Sequence, residues 1–211
     1  MPAVGIYLAL VKGWLGRELD KLYPVLESHL LSHPHINYTT PELKRKRLKL
    51  AQLGQYFKNH PVPVAIVTSS IEYEAQIVLR RVFSVIKEQV ADWPVSSQLK
   101  RRLLSQFANY DNVYNALITA SDSSEMRLKP HRDLFSLALY RLGLKPSEFD
   151  SVIGFEDSES GLLAIRSAGI GKSVAVPFSA TKGHDLSSAS TYLYGGLPEA
   201  ILFYNNFLKL Q

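Results

Sequence analysis

Residues 152–161 read VIGFEDSESG, and they set two carboxylates, Glu156 and Asp157, where an apolar run stops. Carboxylates are costly to desolvate, so a pair at the exit of a buried strand calls for a partner. Adjacent acidic oxygens suit a hard cation such as magnesium, which keeps waters and phosphate oxygens as its other ligands. A second group lies far upstream. Residues 61–70, PVPVAIVTSS, end in the hydroxyls of Thr68, Ser69 and Ser70, and hydroxyls with backbone N–H groups at a helix start form a cradle for an anion. Lys129, in a loop ahead of a helix, offers a point charge to the same anion. Each signal has a plainer reading alone: a helix cap, an exposed acidic pair, a Lys-Pro loop. Together they describe a phosphoryl site with a cation, a cradle and a lysine.

The elements that must bring them together follow from periodicity. Residues 3–31 read as helix, with Leu15, Leu19, Leu22, Leu26 and Leu30 on one stripe and a break near Gly13 and Gly16. Residues 32–39 read as a loop; its His33 and His35 could bind metal, but no third ligand is in view and a surface loop is the better reading. Thr40 before Pro41 predicts a helix start, and that helix runs to about residue 59. From residue 61 the order is strand (61–70), helix (72–90) with a further short helix (97–108), strand (115–122), helix (to 144), strand (151–157), helix (160–168), strand (173–178) and helix (198–208). This alternation predicts an α/β fold, a Rossmann-like, mostly parallel sheet flanked by helices. Ligands of such sheets bind at the carboxyl ends of the strands, where both the hydroxyls and the acids fall.

Composition narrows the function classes. The chain has 211 residues, 46% hydrophobic and 20% charged, with no cysteine. Disulfides and thiolate metal sites are excluded, and a cytoplasmic protein is expected. The apolar start MPAVGIYLALVKGWLG lacks a basic leader region and is too short to span a bilayer, so no membrane partner is expected. The net charge of +5 is concentrated at Lys44-Arg45-Lys46-Arg47 and Lys49. Leu43, Leu50, Leu53 and Phe57 recur at helical spacing through the same stretch, which makes the charges a solvated face and gives no nucleic-acid motif. AGIGKS, residues 168–173, is not a P-loop: Arg166 stands where its first glycine is needed, and the segment runs from helix to strand.

Three segments, PVAIVTSS, LKPHRDLFSLALYRLGLKPSEF and VIGFEDSESGLLAIRSAGIGKSVAVP, resemble the haloacid-dehalogenase-like phosphatase superfamily, in the branch of phosphoglycolate phosphatase and β-phosphoglucomutase. The resemblance covers residues 41–211 as the α/β core, with residues 1–40 resembling part of the helical cap. It implies that Thr68, with Ser69, binds the phosphoryl group of a small phosphorylated metabolite. It implies that Lys129 neutralises the phosphoryl group and the nucleophile, and that Asp157, with Glu156, holds magnesium.

The chain departs from this pattern. The family's nucleophile lies in an Asp-x-Asp-Gly-Thr segment after the first strand. None of the eight aspartates (Asp20, Asp92, Asp111, Asp122, Asp133, Asp150, Asp157 and Asp185) has another two residues on. The resemblance therefore implies a core without its first strand, between those ending at Thr68 and Asp157. AVGIYLALV could fill that place, although its sequel reads as helix, and an unfilled sheet favours pairing with another copy of the chain. The expectation is a magnesium-dependent phosphatase or phosphomutase, N-terminally truncated and inactive. The alternative is a non-catalytic relative that binds a phosphorylated ligand or a protein partner.

Overall fold

The computed structural model describes residues 2–33, 38–122, 125 and 127–202. His35 and the expected helical tail at 203–208 lie outside these residues. The chain divides into two compact units, one of residues 1–62, 80–113 and 197–211, the other of residues 63–79 and 114–196. The division runs differently from a boundary at residue 40, because the helix after Thr40 packs with those before it.

The first unit is helical. It contains α1 (Pro2–Val11), α2 (Leu19–Ser32), α3 (Thr40–Asn59), the later part of α4 (Glu72–Ala91), α5 (Ser97–Gln106) and α8 (Leu197–Leu202). The leucine stripe of α2 is its buried face, and Leu43, Leu50, Leu53 and Phe57 of α3 are buried as the spacing required. The cap of α3 is Thr39 rather than Thr40: its hydroxyl and N–H both reach Glu42, closing a capping box, and Pro41 occupies the first turn. Lys44, Arg45 and Arg47 are exposed, and Arg47 turns back to Asp20 and the Tyr23 ring. Residues 2–11 are helix, with Ile6, Ala9 and Leu10 buried, so AVGIYLALV does not supply a strand. After α1 the chain turns at Gly13 with φ +70°, and a Cβ there would lie 2.5 Å from the Lys58 Cα and the Phe57 carbonyl oxygen. Among the described residues no helix is long and apolar enough to cross a membrane.

The second unit is α/β, with all strand pairs parallel. Its strands are β1 (Ala65–Val67), β2 (Ala116–Ile118), β3 (Ile153–Glu156), β4 (Lys172–Ala175) and β5 (Thr191–Tyr192). Among the described residues the strands form two sheets, parted between β1 and β3, where the resemblance implied a missing strand. One pairs β1 with β2, Ala65 opposite Ala116 and Val67 opposite Ile118; the other has the order β3-β4-β5. β1 and β3, whose tips carry the candidate site, are edge strands of different sheets. The short, polar β5 escaped the sequence reading because it lacks an apolar run.

Two helices complete this unit, α6 (Asp133–Arg141) and α7 (Glu159–Ser167). α6 is apolar on two adjacent flanks. Leu134 and Ala138 pack with Ala116, Ile118 and Ala65 of the first sheet, while Phe135 and Leu139 pack with Ala164 and Ile165 of α7. Val67 joins both clusters, so a single helix braces the site-bearing ends of the unit. Gly143 and Gly169, at φ +71° and +81°, follow α6 and α7 and stop them, as read from the sequence.

Gly13→Ala is expected to lower stability by roughly 2–3 kcal/mol, since a strained φ and a backbone clash add. Urea denaturation against the wild-type chain measures it.

Candidate functional site

All six residues singled out for a phosphoryl site border one cavity of about 710 Å³ in the α/β unit. Thr68, Ser69 and Ser70 line one part, Lys129 another, and Glu156 and Asp157 a third; Glu74, Ser158 and Ser160 complete the polar wall with Val67 and Phe155. The sequence reading left Glu74, Ser158 and Ser160 out of the site. Their signal is positional: Glu74 opens α4, whereas Ser158 and Ser160 flank the start of α7.

Thr68 follows β1 directly. Its N–H donates to the Ile118 carbonyl at 2.9 Å, which extends the strand pairing by one residue. Its hydroxyl accepts the Ser70 N–H at 3.1 Å, and a hydroxyl that has accepted retains its own proton to donate. The turn into α4 is tied down from β2, since Ser121 Oγ accepts the Glu72 N–H at 3.1 Å and Ser70 accepts the Ala120 N–H at 2.9 Å. Ser69, between these anchored residues, is exposed.

Lys129 sits ahead of α6 with its side chain only 11% exposed. Its ammonium donates to the Val67 carbonyl at 3.2 Å and forms an ion pair with the Glu156 carboxylate. It also lies 5.2 Å from the centre of the Phe135 ring. The tips of β1 and β3 are thus joined through one lysine.

Glu156 ends β3 and is buried. Beyond Lys129, its carboxylate accepts the Ser158 hydroxyl at 3.1 Å and the Asp157 N–H at 3.3 Å. A buried ion is sustained only when its remaining lone pairs are satisfied, and here they are. Asp157 is half-buried and borders the cavity beside it. The adjacent acids differ in role for a simple reason. The Glu156 carboxylate is taken up by Lys129 and Ser158, while Asp157, just past the end of β3, borders the cavity beside it.

As a magnesium shell this set is incomplete. Magnesium demands octahedral oxygen coordination, the Glu156 carboxylate is already engaged by a cation and two hydrogen bonds, and no group of three or more acidic or histidine side chains among the described residues could hold a metal ion. Asp157 is the acid left to contribute a ligand from this pair.

A second cluster, which the sequence did not suggest, secures the β2 exit. Asp122 accepts the Thr119 N–H at 2.6 Å and its hydroxyl at 3.1 Å, and pairs with Arg141, which also donates to the Leu117 carbonyl at 3.2 Å. Burial acts to raise the Asp122 pKa, but the Thr119 hydrogen bonds and the Arg141 guanidinium outweigh it and hold the carboxyl below its usual range. The loop leading through Lys129 is held similarly. Asp133 accepts both the N–H and the Nε of Arg127, at 3.1 and 3.2 Å, and the backbone hydrogen bond from Arg127 is the chief cause of its lowered pKa.

No family model matches the chain. It is 29% identical over 115 residues to protein CbbY of Rhodobacter capsulatus, a match covering 54% of this chain and 48% of that protein. The chain thus spans about half the length of the curated relative it matches. Among solved structures it is similar to a protein of Thermotoga maritima provisionally assigned as a β-phosphoglucomutase, with 18% identity, TM-score 0.45 and coverage of 98% and 92% of the two chains. It is also similar to CbbY of Rhodobacter sphaeroides, solved in complex with phosphate, with 14% identity, TM-score 0.38 and coverage of 92% and 88%. The similarity to CbbY agrees with the resemblance drawn from the motifs.

Asp122→Asn is expected to cost roughly 1–3 kcal/mol at neutral pH, because it replaces a charged acceptor of three donors. A lowered folded-state pKa adds stability above the ordinary carboxylate pKa and loses it as pH falls through the folded value. The gap between wild type and variant in urea denaturation should therefore shrink in acid; a constant gap would contradict the assignment.

Proposed function

We propose that the cavity binds the phosphoryl group of a small phosphorylated metabolite, as part of a phosphatase or phosphomutase of the haloacid-dehalogenase-like type acting in the cytoplasm. One observation carries this reading. The buried ammonium of Lys129, fixed by Glu156 and the Val67 carbonyl, borders the same cavity as the Thr68 and Ser69 hydroxyls. A fixed cation opposite preorganised donors stabilises the charge of a phosphoryl group with no reorganisation on binding. In this reading Thr68 and Ser69 donate to phosphoryl oxygens, Lys129 offsets their charge, and Asp157 contributes a ligand to magnesium. When bound, that ion supplies Lewis-acid charge neutralisation.

These residues account for binding and charge neutralisation. They do not account for attack on phosphorus, which needs a nucleophile free of other obligations. Glu156 is bound to Lys129, and no aspartate of the chain has a second two residues on. This favours, as a second reading, a chain that binds a phosphorylated ligand without turning it over. Neither reading calls for nucleic acid. Of the exposed basic residues of α3, Arg47 is directed to Asp20 and the Tyr23 ring of its own unit.

Two measurements test the proposal. Inorganic phosphate, titrated against the chain by phosphorus NMR or calorimetry, should bind saturably, and Lys129→Ala should weaken it about tenfold or more, a change of ~1.4 kcal/mol. Equal binding by both proteins would defeat the site. Magnesium alone should bind weakly by calorimetry, given its incomplete shell. Tight one-to-one binding abolished by Asp157→Ala would show that further ligands converge there.

A further inference from the structure

The ion pair at the heart of the cavity rests on a bare Cα. A methyl group added at Gly161 would overlap the Glu156 carboxylate, its carbon and both oxygens, far inside van der Waals contact. The carboxylate therefore lies against the first turn of α7, where the positive end of the helix dipole favours it. Ser158 secures it there. The Ser158 hydroxyl accepts the Gly161 N–H at 3.2 Å, capping the helix, and donates its own proton to Glu156 Oε2 at 3.1 Å. The other oxygen, Oε1, faces Lys129. One hydroxyl and one missing side chain thus determine where the carboxylate sits, and the carboxylate determines where the ammonium sits.

We propose that Gly161 and Ser158 are positioning residues for Lys129, acting through Glu156, and so set the affinity of the cavity for phosphoryl groups. The inference rests on the phosphoryl reading of the cavity. A purely structural role for Gly161, close packing of α7 on its neighbours, makes a different forecast. The atoms that a Gly161 methyl group would strike belong to the far end of a flexible side chain and not to backbone. The helix can stay in place while the carboxylate swings away, so the damage falls on Lys129 more than on the fold.

The test compares wild type, Gly161→Ala, Glu156→Asp and the double variant by phosphate titration and thermal unfolding. Gly161→Ala is expected to weaken phosphate binding about tenfold while the chain remains folded. Adding Glu156→Asp, one methylene shorter, should recover part of that loss, so that the two changes are not additive. Unchanged phosphate affinity in folded Gly161→Ala, or strict additivity in the double variant, would overturn the proposal. Should Gly161→Ala fail to fold, Ser158→Ala takes its place, since it deletes only the hydroxyl. Weakened phosphate binding there supports the proposal, and wild-type affinity overturns it. Failure of the wild-type chain to bind phosphate would instead defeat the underlying reading of the cavity.

Discussion

The ion pair between Lys129 and Glu156 is the constraint to which the α/β unit is fitted. Two charges with side chains 11% and 8% exposed pay a desolvation cost that their mutual attraction repays only with good geometry and further hydrogen bonds. Each has them: the ammonium uses the Val67 carbonyl, and the carboxylate uses the Ser158 hydroxyl and the Asp157 N–H. The Val67 bond has a second consequence. It fixes the end of β1 to a residue that is itself fixed to the end of β3, although these strands belong to different sheets. The pair is thus a structural tie, and its ammonium is a fixed cation at the border of the cavity.

Around it the fold supplies rigidity without touching the cavity. α6 begins immediately after the Lys129 loop, and its two apolar flanks grip the first sheet on one side and α7 on the other. Arg141, at the end of the same helix, ties to Asp122 and the Leu117 carbonyl, so α6 is anchored to the β2 exit as well. Asp133 at its start holds the preceding loop through Arg127. A lysine on a loop is ordinarily mobile through its long stem. Here both the loop's root and the ammonium itself are restrained, which is what preorganised charge stabilisation requires.

Much of this was legible in the residues. The strand–helix alternation gave the α/β class, and Gly143 and Gly169 marked where α6 and α7 stop. The placement of Thr68 and the acidic pair at strand exits, with Lys129 in a loop ahead of a helix, led to one cavity. Other features were not legible. Whether the strands form one sheet or two depends on edges meeting in space; β1 and β3 carry no local mark of it, and the gap between them was expected only from the resemblance. Thr39 rather than Thr40 caps α3 because Glu42 reaches back to it, a choice between adjacent threonines that the capping-box geometry decides. The Asp122–Arg141 tie joins residues distant in sequence whose types are individually commonplace.

The division at Glu156 and Asp157 shows where the limit falls. The sequence alone determined that two acids end a strand and that hydroxyls end another, because strand order and periodicity are local properties of the chain. Only the tertiary structure decided which acid serves which end. Glu156 faces inward to Lys129, resting on a glycine whose missing side chain makes room for it, and Asp157 is left to the cavity. The physical reason is that a carboxylate's role is set by the charges and hydrogen-bond donors within a few ångströms of it, and those are assembled from parts of the chain that meet only when it folds.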